Sequence, residues 1–290
     1  MKIHKNKLQI GIIFLVLFSL AFISAIDINS CDVLDQENSV YRLTKNLSEE
    51  EVVIPNSTRT CMYIAADNVT LDCQNNYIKK SSYERYQPFL IRNPGYDSTK
   101  IINCDLFCTP ASNSCRGIDL IRGERHYIAN NVIDHTMYPI VMSYVNNSII
   151  YNNTITGIPS GHGEGINLQD SSNNTIEKNT LKDNNGNGME LNQYSYNNTI
   201  NQNIIKNSSS RGMYIGWRTG YNKITNNNIT LNGVRGIQFY YSDENFIYNN
   251  LIKENEWDGL SFKVSTDNLI QNNTIVDNAG DGIWLDFWSD

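Results

Sequence analysis

The sequence predicts an all-β solenoid, a coil of three short strands and three turns per repeat, and three observations carry that expectation. First, a template recurs. Asn174-Thr175-Ile176-Glu177-Lys178-Asn179-Thr180-Leu181 returns as Asn198-Thr199-Ile200-Asn201-Gln202-Asn203-Ile204-Ile205, and the anchor isoleucine recurs at Ile224, Ile247 and Ile270, in steps of 24, 24, 23 and 23 residues. Ile150 and Ile128 extend the series backwards in steps of 26 and 22. Second, three residues after every anchor stands an asparagine: Asn131, Asn153, Asn179, Asn203, Asn227, Asn250 and Asn273. Two residues beyond each comes an aliphatic: Ile133, Ile155, Leu181, Ile205, Ile229, Ile252 and Ile275. Third, each repeat closes on Gly-apolar-x-apolar, as in Gly188-Met189-Glu190-Leu191, Gly212-Met213-Tyr214-Ile215 and Gly236-Ile237-Gln238-Phe239. Self-similarity at a fixed period of this length is the mark of a repeat architecture.

Each part of the repeat has a physical reason. Apolar residues two apart point to one face of a strand, and the three such pairs per repeat are too short and too interrupted for amphipathic helices. Parallel strands joined without long crossovers require each turn of a coil to pair with the next, about 4.8 Å above it. Stacking then puts like residues over like. An asparagine column suits a turn, because Asn tolerates left-handed backbone and its amides can bond along the stack. The glycine before the last strand marks a place where a Cβ would clash.

These repeats resemble the right-handed parallel β-helix of the pectin-lyase-like superfamily, and more narrowly the Asn-rich NosD and carbohydrate-binding-and-sugar-hydrolase repeats of archaeal and bacterial surface proteins. The resemblance covers roughly residues 65–290. It implies a single-stranded right-handed β-helix, and the chain is long enough for about nine coils.

Taken in order, Lys2, Lys5 and Lys7 precede an apolar run from Ile10 to Ile23 that ends at Ser24-Ala25, the pattern of a secretory leader over residues 1–25. An uncleaved membrane anchor is the alternative. Either way the domain is expected outside the cytoplasm, secreted or at the cell surface. Residues 26–80 are expected to form an N-terminal cap and first coil, and residues 81–290 the repeats. The C-terminal strand Gly282-Ile283-Trp284-Leu285 carries no amphipathic cap, so that edge is expected to need a partner or further coils.

A formal charge of −7 and a pI near 5.1 argue against a nucleic-acid partner. Of 43 asparagines, 32 follow residue 125, so the bias belongs to the repeats. Six cysteines, Cys31, Cys61, Cys73, Cys104, Cys108 and Cys115, precede the regular region, and an even number in an exported chain reads as disulfides. Cys104 stands where the Asn column would be and Cys73 falls one coil earlier, within disulfide reach of a stacked neighbour. That suggests Cys73–Cys104, with Cys108–Cys115 closing a local loop and Cys31–Cys61 tying down the start. A metal cluster is the alternative.

Outward residues of the Gly-apolar-x-apolar strands are the candidate site, because enzymes of the resembling superfamily bind substrate on that face. They include Asn167, Glu190, Tyr214, Gln238 and Trp284, with Tyr240 in the next row and Tyr194 and Trp217 on the turn beyond. Aromatic rings among amides suit sugar, so a polysaccharide or cell-surface glycan is the expected partner. Complete catalytic signatures are missing. Gly161-His162-Gly163 resembles part of the polygalacturonase pattern without its companion carboxylates, and His162 is a candidate on that resemblance alone. Glu164, Glu190 and Asp258 are available carboxylates, and Glu190 with Arg211 would serve a lyase or epimerase acting on a uronate. No metal site emerges from His126, His135 and His162, and no cofactor is expected; calcium is left open only by Asp183-Asn184-Asn185-Gly186-Asn187-Gly188, half of a calcium loop. The chain therefore reads as a glycan-interacting or structural module. The alternatives are a uronate-glycan lyase, hydrolase or epimerase, or a surface-layer scaffold.

Overall fold

The computed structural model describes residues 25–48, 52–53, 59–80, 88–108, 115–158 and 163–289. The expected leader, apart from Ala25, and His162 lie outside the described residues. The described chain is all-β, three parallel sheets wound as a right-handed solenoid. One sheet runs eleven strands from Ala25–Ile28 to Leu269–Gln271, the second ten from Leu47–Ser48 to Thr274–Val276, and the third twelve from Asp32–Leu34 to Ile283–Leu285. Val52–Val53 pairs antiparallel with Arg59–Ile64, off this path. The described strands of residues 25–80 join the same three sheets, so that stretch is coiled like the rest.

Register follows the sequence period. Ile150, Ile176, Ile200, Ile224, Ile247 and Ile270 stack in the first sheet. Ile133, Ile155, Leu181, Ile205, Ile229, Ile252 and Ile275 stack in the second. Stacked isoleucines have no solvent contact through most of the solenoid, and Phe239 lies flat on Phe262 with ring centroids 4.6 Å apart. Ile283 and Leu285, in the last strand of the third sheet among the described residues, are 45% and 51% exposed.

The asparagine column is buried. Asn131, Asn153, Asn179, Asn203, Asn227 and Asn250 each donate their side-chain N–H to the Oδ1 of the next, at 2.9–3.1 Å, ending on Asn273. Each Oδ1 also accepts the preceding column residue's backbone N–H, as Asn203 does from Asn179 at 2.9 Å. The left-handed backbone is not at these positions, contrary to the expectation. It lies one residue earlier, at Asn130, Asn152, Lys178, Gln202, Asn226, Asn249 and Asn272, with φ of 51–58°. The asparagines serve instead as bracketing groups that satisfy backbone donors in a turn with no strand partner. A second ladder, Asn198, Asn222, Asn245 and Asn268, and a third, Asn232, Asn255 and Asn278, brace the other turns.

The glycine column is steric. A Cβ on Gly212 would lie 2.5 Å from the Ile229 methyl and 2.7 Å from the Gly236 carbonyl oxygen. Cys31–Cys61, Cys73–Cys104 and Cys108–Cys115 are disulfides, and the first two join Cα atoms 4.5 and 4.7 Å apart, the distance of stacked neighbours. Three disulfides belong to a chain that matures in an oxidising compartment.

Candidate functional site

The third sheet presents its outward residues as a straight row. Asp119, Val141, Asn167, Glu190, Tyr214, Gln238, Ser261 and Trp284 are consecutive register partners. Beside it run Ser143, Gln169 and Asn192, then, further along, Gly216, Tyr240 and Lys263. The sequence reading named Glu164, Arg211 and Asp258 but did not place them in a third row on the other flank, made by residues just before the column glycine. Glu164, Asn187, Arg211, Arg235 and Asp258 occupy it, continued by Arg116 and Tyr138. Its signal was present, a polar residue before each glycine. Only the bend of the backbone at that glycine turns those side chains onto the sheet face.

Between the rows lie two adjoining cavities. One of about 250 Å³ is lined by Arg116, Tyr138, Val141, Ser143, Glu164, Asn167, Gln169 and Glu190. The other, about 400 Å³, is lined by Glu164, Asn187, Glu190, Arg211, Tyr214, Gln238, Tyr240 and Lys263. Glu164 and Glu190 belong to both, so the two cavities are one groove with a pair of carboxyls at its middle.

That middle is ordered by amides. Glu190 accepts from Asn187 Nδ2 at 3.0 Å on one oxygen and from Asn192 Nδ2 at 3.1 Å on the other. Burial raises its carboxyl, while those two hydrogen bonds and then the Arg211 charge oppose the rise. Glu164 is pushed up to about 7, first by burial and next by the Glu190 charge, with a hydrogen bond from Asn167 working the other way. Burial raises both carboxyls; at Glu164 a neighbouring carboxylate adds to the rise, whereas at Glu190 two amide hydrogen bonds and the Arg211 charge offset part of it. Asn167 is buried, and its Oδ1 has no partner.

Guanidinium and tyrosine flank the carboxyls on both sides. Arg116 lies 5.3 Å from the Tyr138 ring and Arg211 5.3 Å from the Tyr214 ring. The two sides differ in charge. Arg116 is bonded to Asp119 at 2.6 Å, and Arg92 approaches the same carboxylate at 3.6 Å. Arg211 has no carboxylate within ion-pairing distance among the described residues; its Nε donates to Gln238. Burial and the neighbouring Arg235 both disfavour its charge. Arg235 is compensated by Asp258 at 2.9 Å. Burial, and next Glu190, pushes the Tyr214 phenol up to about 12.

The structure divides the remaining candidates. Tyr194 and Trp217 are 47% and 53% exposed and line a separate cavity of about 490 Å³ with Asn192, Gln193 and Arg218, around the bend from the groove. Tyr240 links the two, 5.5 Å from Trp217 and 4.6 Å from Tyr241. Trp284 stands over Ser261 at the far end of the row, outside both groove cavities. Residues of the half calcium loop diverge: Asp183 accepts from Asn207 at 2.7 Å, Asn185 from Ser209 at 2.9 Å, Asn184 is buried, and Asn187 turns to Glu190.

Fold and groove together define a right-handed parallel β-helix of the pectin-lyase-like kind with a polar cleft along one sheet. Set against known families, the chain matches the model described as periplasmic copper-binding protein (NosD) over residues 28–214, 73–256 and 195–287, and it belongs to that family. Among solved structures it is similar to DFA-IIIase from Arthrobacter chlorophenolicus A6, at 9% identity over 91% of this chain and 79% of that chain, TM-score 0.67. It is also similar to a point variant of the periplasmic alginate epimerase AlgG, at 14% identity over 80% of this chain and 67% of that one, TM-score 0.64. The A-module of the mannuronan C-5 epimerase AlgE4 from Azotobacter vinelandii shares 15% identity over 88% and 70%, TM-score 0.62. At such identities the likeness is one of fold. No curated protein sequence matches.

Copper, which the family's description implies, does not fit the described residues. All six cysteines are in disulfides. His126 is buried with Nδ1 accepting from the Thr99 N–H, and His135 Nδ1 is 2.7 Å from Asp134. No three His, Cys, Asp or Glu side chains converge among the described residues.

Proposed function

We propose that the groove on the third sheet binds an acidic polysaccharide lengthwise, in a secreted or cell-surface setting. The observation that carries this reading is the half-buried Arg211 guanidinium, without a carboxylate partner among the described residues and beside a second guanidinium. A buried cation in that state is stabilised by an anionic ligand, and a sugar carboxylate offers the two oxygens a guanidinium fork accepts. Each coil advances by about 4.8 Å, comparable to one sugar ring, so a glycan along the helix axis meets one coil per residue. Tyr138, Tyr214 and Tyr240 would supply apolar faces, and Asn187, Asn192 and Gln238 hydroxyl partners. Epimerases of alginate and mannuronan among the solved structures with this fold support a glycan ligand.

Calorimetry of the disulfide-intact chain with oligosaccharides of alginate, of polygalacturonate and of a neutral glucan tests the proposal. Binding of an acidic oligosaccharide is expected, falling at least tenfold in Arg211→Gln, about 1.4 kcal/mol. Binding that ignores both Arg211 and sugar charge would defeat the acidic-ligand reading, and silence to all three would return the chain to a scaffold.

A further inference from the structure

We infer that Glu164 and Glu190 are an acid–base pair that breaks a glycosidic bond of the bound glycan by adding water across it. The inference rests on the glycan-binding reading and assigns a reaction to the same groove. Three observations carry it.

The first is position. Glu164 and Glu190 are shared by two cavities that continue one another, so a glycan occupying both would pass over the pair in mid-chain. The second is that the fold does not need them. Glu190's place in the row is filled by Val141, Tyr214 and Ser261 in other coils, and Glu164's by Asn187 and Arg211. Two half-buried carboxyls on adjacent coils destabilise the folded chain by their mutual repulsion and desolvation, which a purely structural surface avoids.

The third is asymmetry. Asn187 and Asn192 hold both oxygens of Glu190 as acceptors, which favours its anion. Facing Glu164 are Arg116 and Tyr138 from the preceding coils and Glu190 from the next, and burial with the Glu190 charge raises its carboxyl to about 7, so that it can still carry a proton near neutral pH. One protonated and one ionised carboxyl is the arrangement that hydrolysis of a glycoside uses.

The step is a displacement at the anomeric carbon. Glu190 takes a proton from water as the water oxygen bonds to that carbon. The bond from the anomeric carbon to the bridging oxygen breaks, and that oxygen takes the proton of Glu164. One water is consumed, two shorter saccharides leave, one with a new reducing end, and solvent returns the proton from Glu190 to Glu164.

Incubation of the disulfide-intact chain with the same three oligosaccharides tests this, counting new reducing ends and ultraviolet-absorbing unsaturated ends, with binding measured in parallel. Reducing ends without unsaturated ends are expected, at a rate that falls as pH rises through about 7 while Glu164 loses its proton. Glu164→Gln and Glu190→Gln should each lower it by about 100-fold or more while still melting cooperatively and binding the oligosaccharide. Unsaturated ends in equal number to reducing ends would make the reaction an elimination and overturn the assignment. Inversion at C5 without cleavage, seen by NMR, would do the same. Binding without any product overturns the pair and leaves the glycan-binding reading standing; no binding defeats both.

Discussion

Asn203 shows how much one side chain carries in this fold. Its Oδ1 accepts from both the backbone and the side chain of Asn179, and its Nδ2 donates to Asn227 and to the Ile176 carbonyl. Asn203→Ala would leave several of these groups buried without partners, each costing about 1–3 kcal/mol. Urea unfolding should show a loss of roughly 3 kcal/mol or more, against little for the more exposed Asn201→Ala; equal effects would mean that the ladder adds no stability. Glu164 makes a different prediction. Its folded-state carboxyl is raised from 4.5 to about 7, so the folded chain holds the proton more tightly than the unfolded one. The stability this gives is complete below about 4.5, declines as pH rises, and is gone above about 7. Glu164→Gln stays neutral throughout, so its melting temperature should gain on the parent across that window; a constant difference would show that the carboxyl titrates as if exposed.

At the scale of the element, the turn before each third-sheet strand is set by glycine and the N-terminal coils by disulfides. Gly212→Ala drives a methyl against Ile229 and against the Gly236 carbonyl of the next coil, and overpacking of this kind costs about 1–3 kcal/mol. Thermal melts should show comparable losses for Gly212→Ala and Gly233→Ala, whose Cβ would meet the Ser209 carbonyl oxygen at 2.6 Å; a Gly212→Ala melt unchanged from the parent would show that the stack gives way to the added methyl. Cys73–Cys104 spans 31 residues and ties the coil of Thr70–Asp72 to that of Lys100–Ile102. Replacing both cysteines by serine should cost about 3 kcal/mol, read as a lower denaturant midpoint, and an unchanged midpoint would show that stacking alone holds those coils.

Across the whole molecule, charge is distributed unevenly. The chain is acidic overall, at −7, yet Arg211 and Lys263 line one stretch of the groove, with Arg235 next to Arg211. A glycan anion seated on partly buried guanidinium is screened less than one held at the surface. Affinity for an acidic oligosaccharide should therefore fall only a few-fold between low and physiological salt, and a loss of more than a hundredfold would place the anion on the exposed rim instead. Disulfides and family agree with an extracytoplasmic setting.

Coil period, strand register, core isoleucines and the first asparagine column were legible in the residues alone, because a solenoid repeats one local geometry and stacks like on like. The outward row through Glu190 was legible for the same reason, since alternation along a strand decides which side chains leave the core. Only the tertiary structure decided which outward residues share a cavity. The bend at the column glycine brings Glu164 and Arg211 onto the face of Glu190, and a second bend carries Tyr194 and Trp217 into another cavity. How far each carboxyl there is raised depends on burial and, for Glu164, on Glu190 one coil away, which sequence spacing does not encode; the amides that hold Glu190 lie within three residues of it.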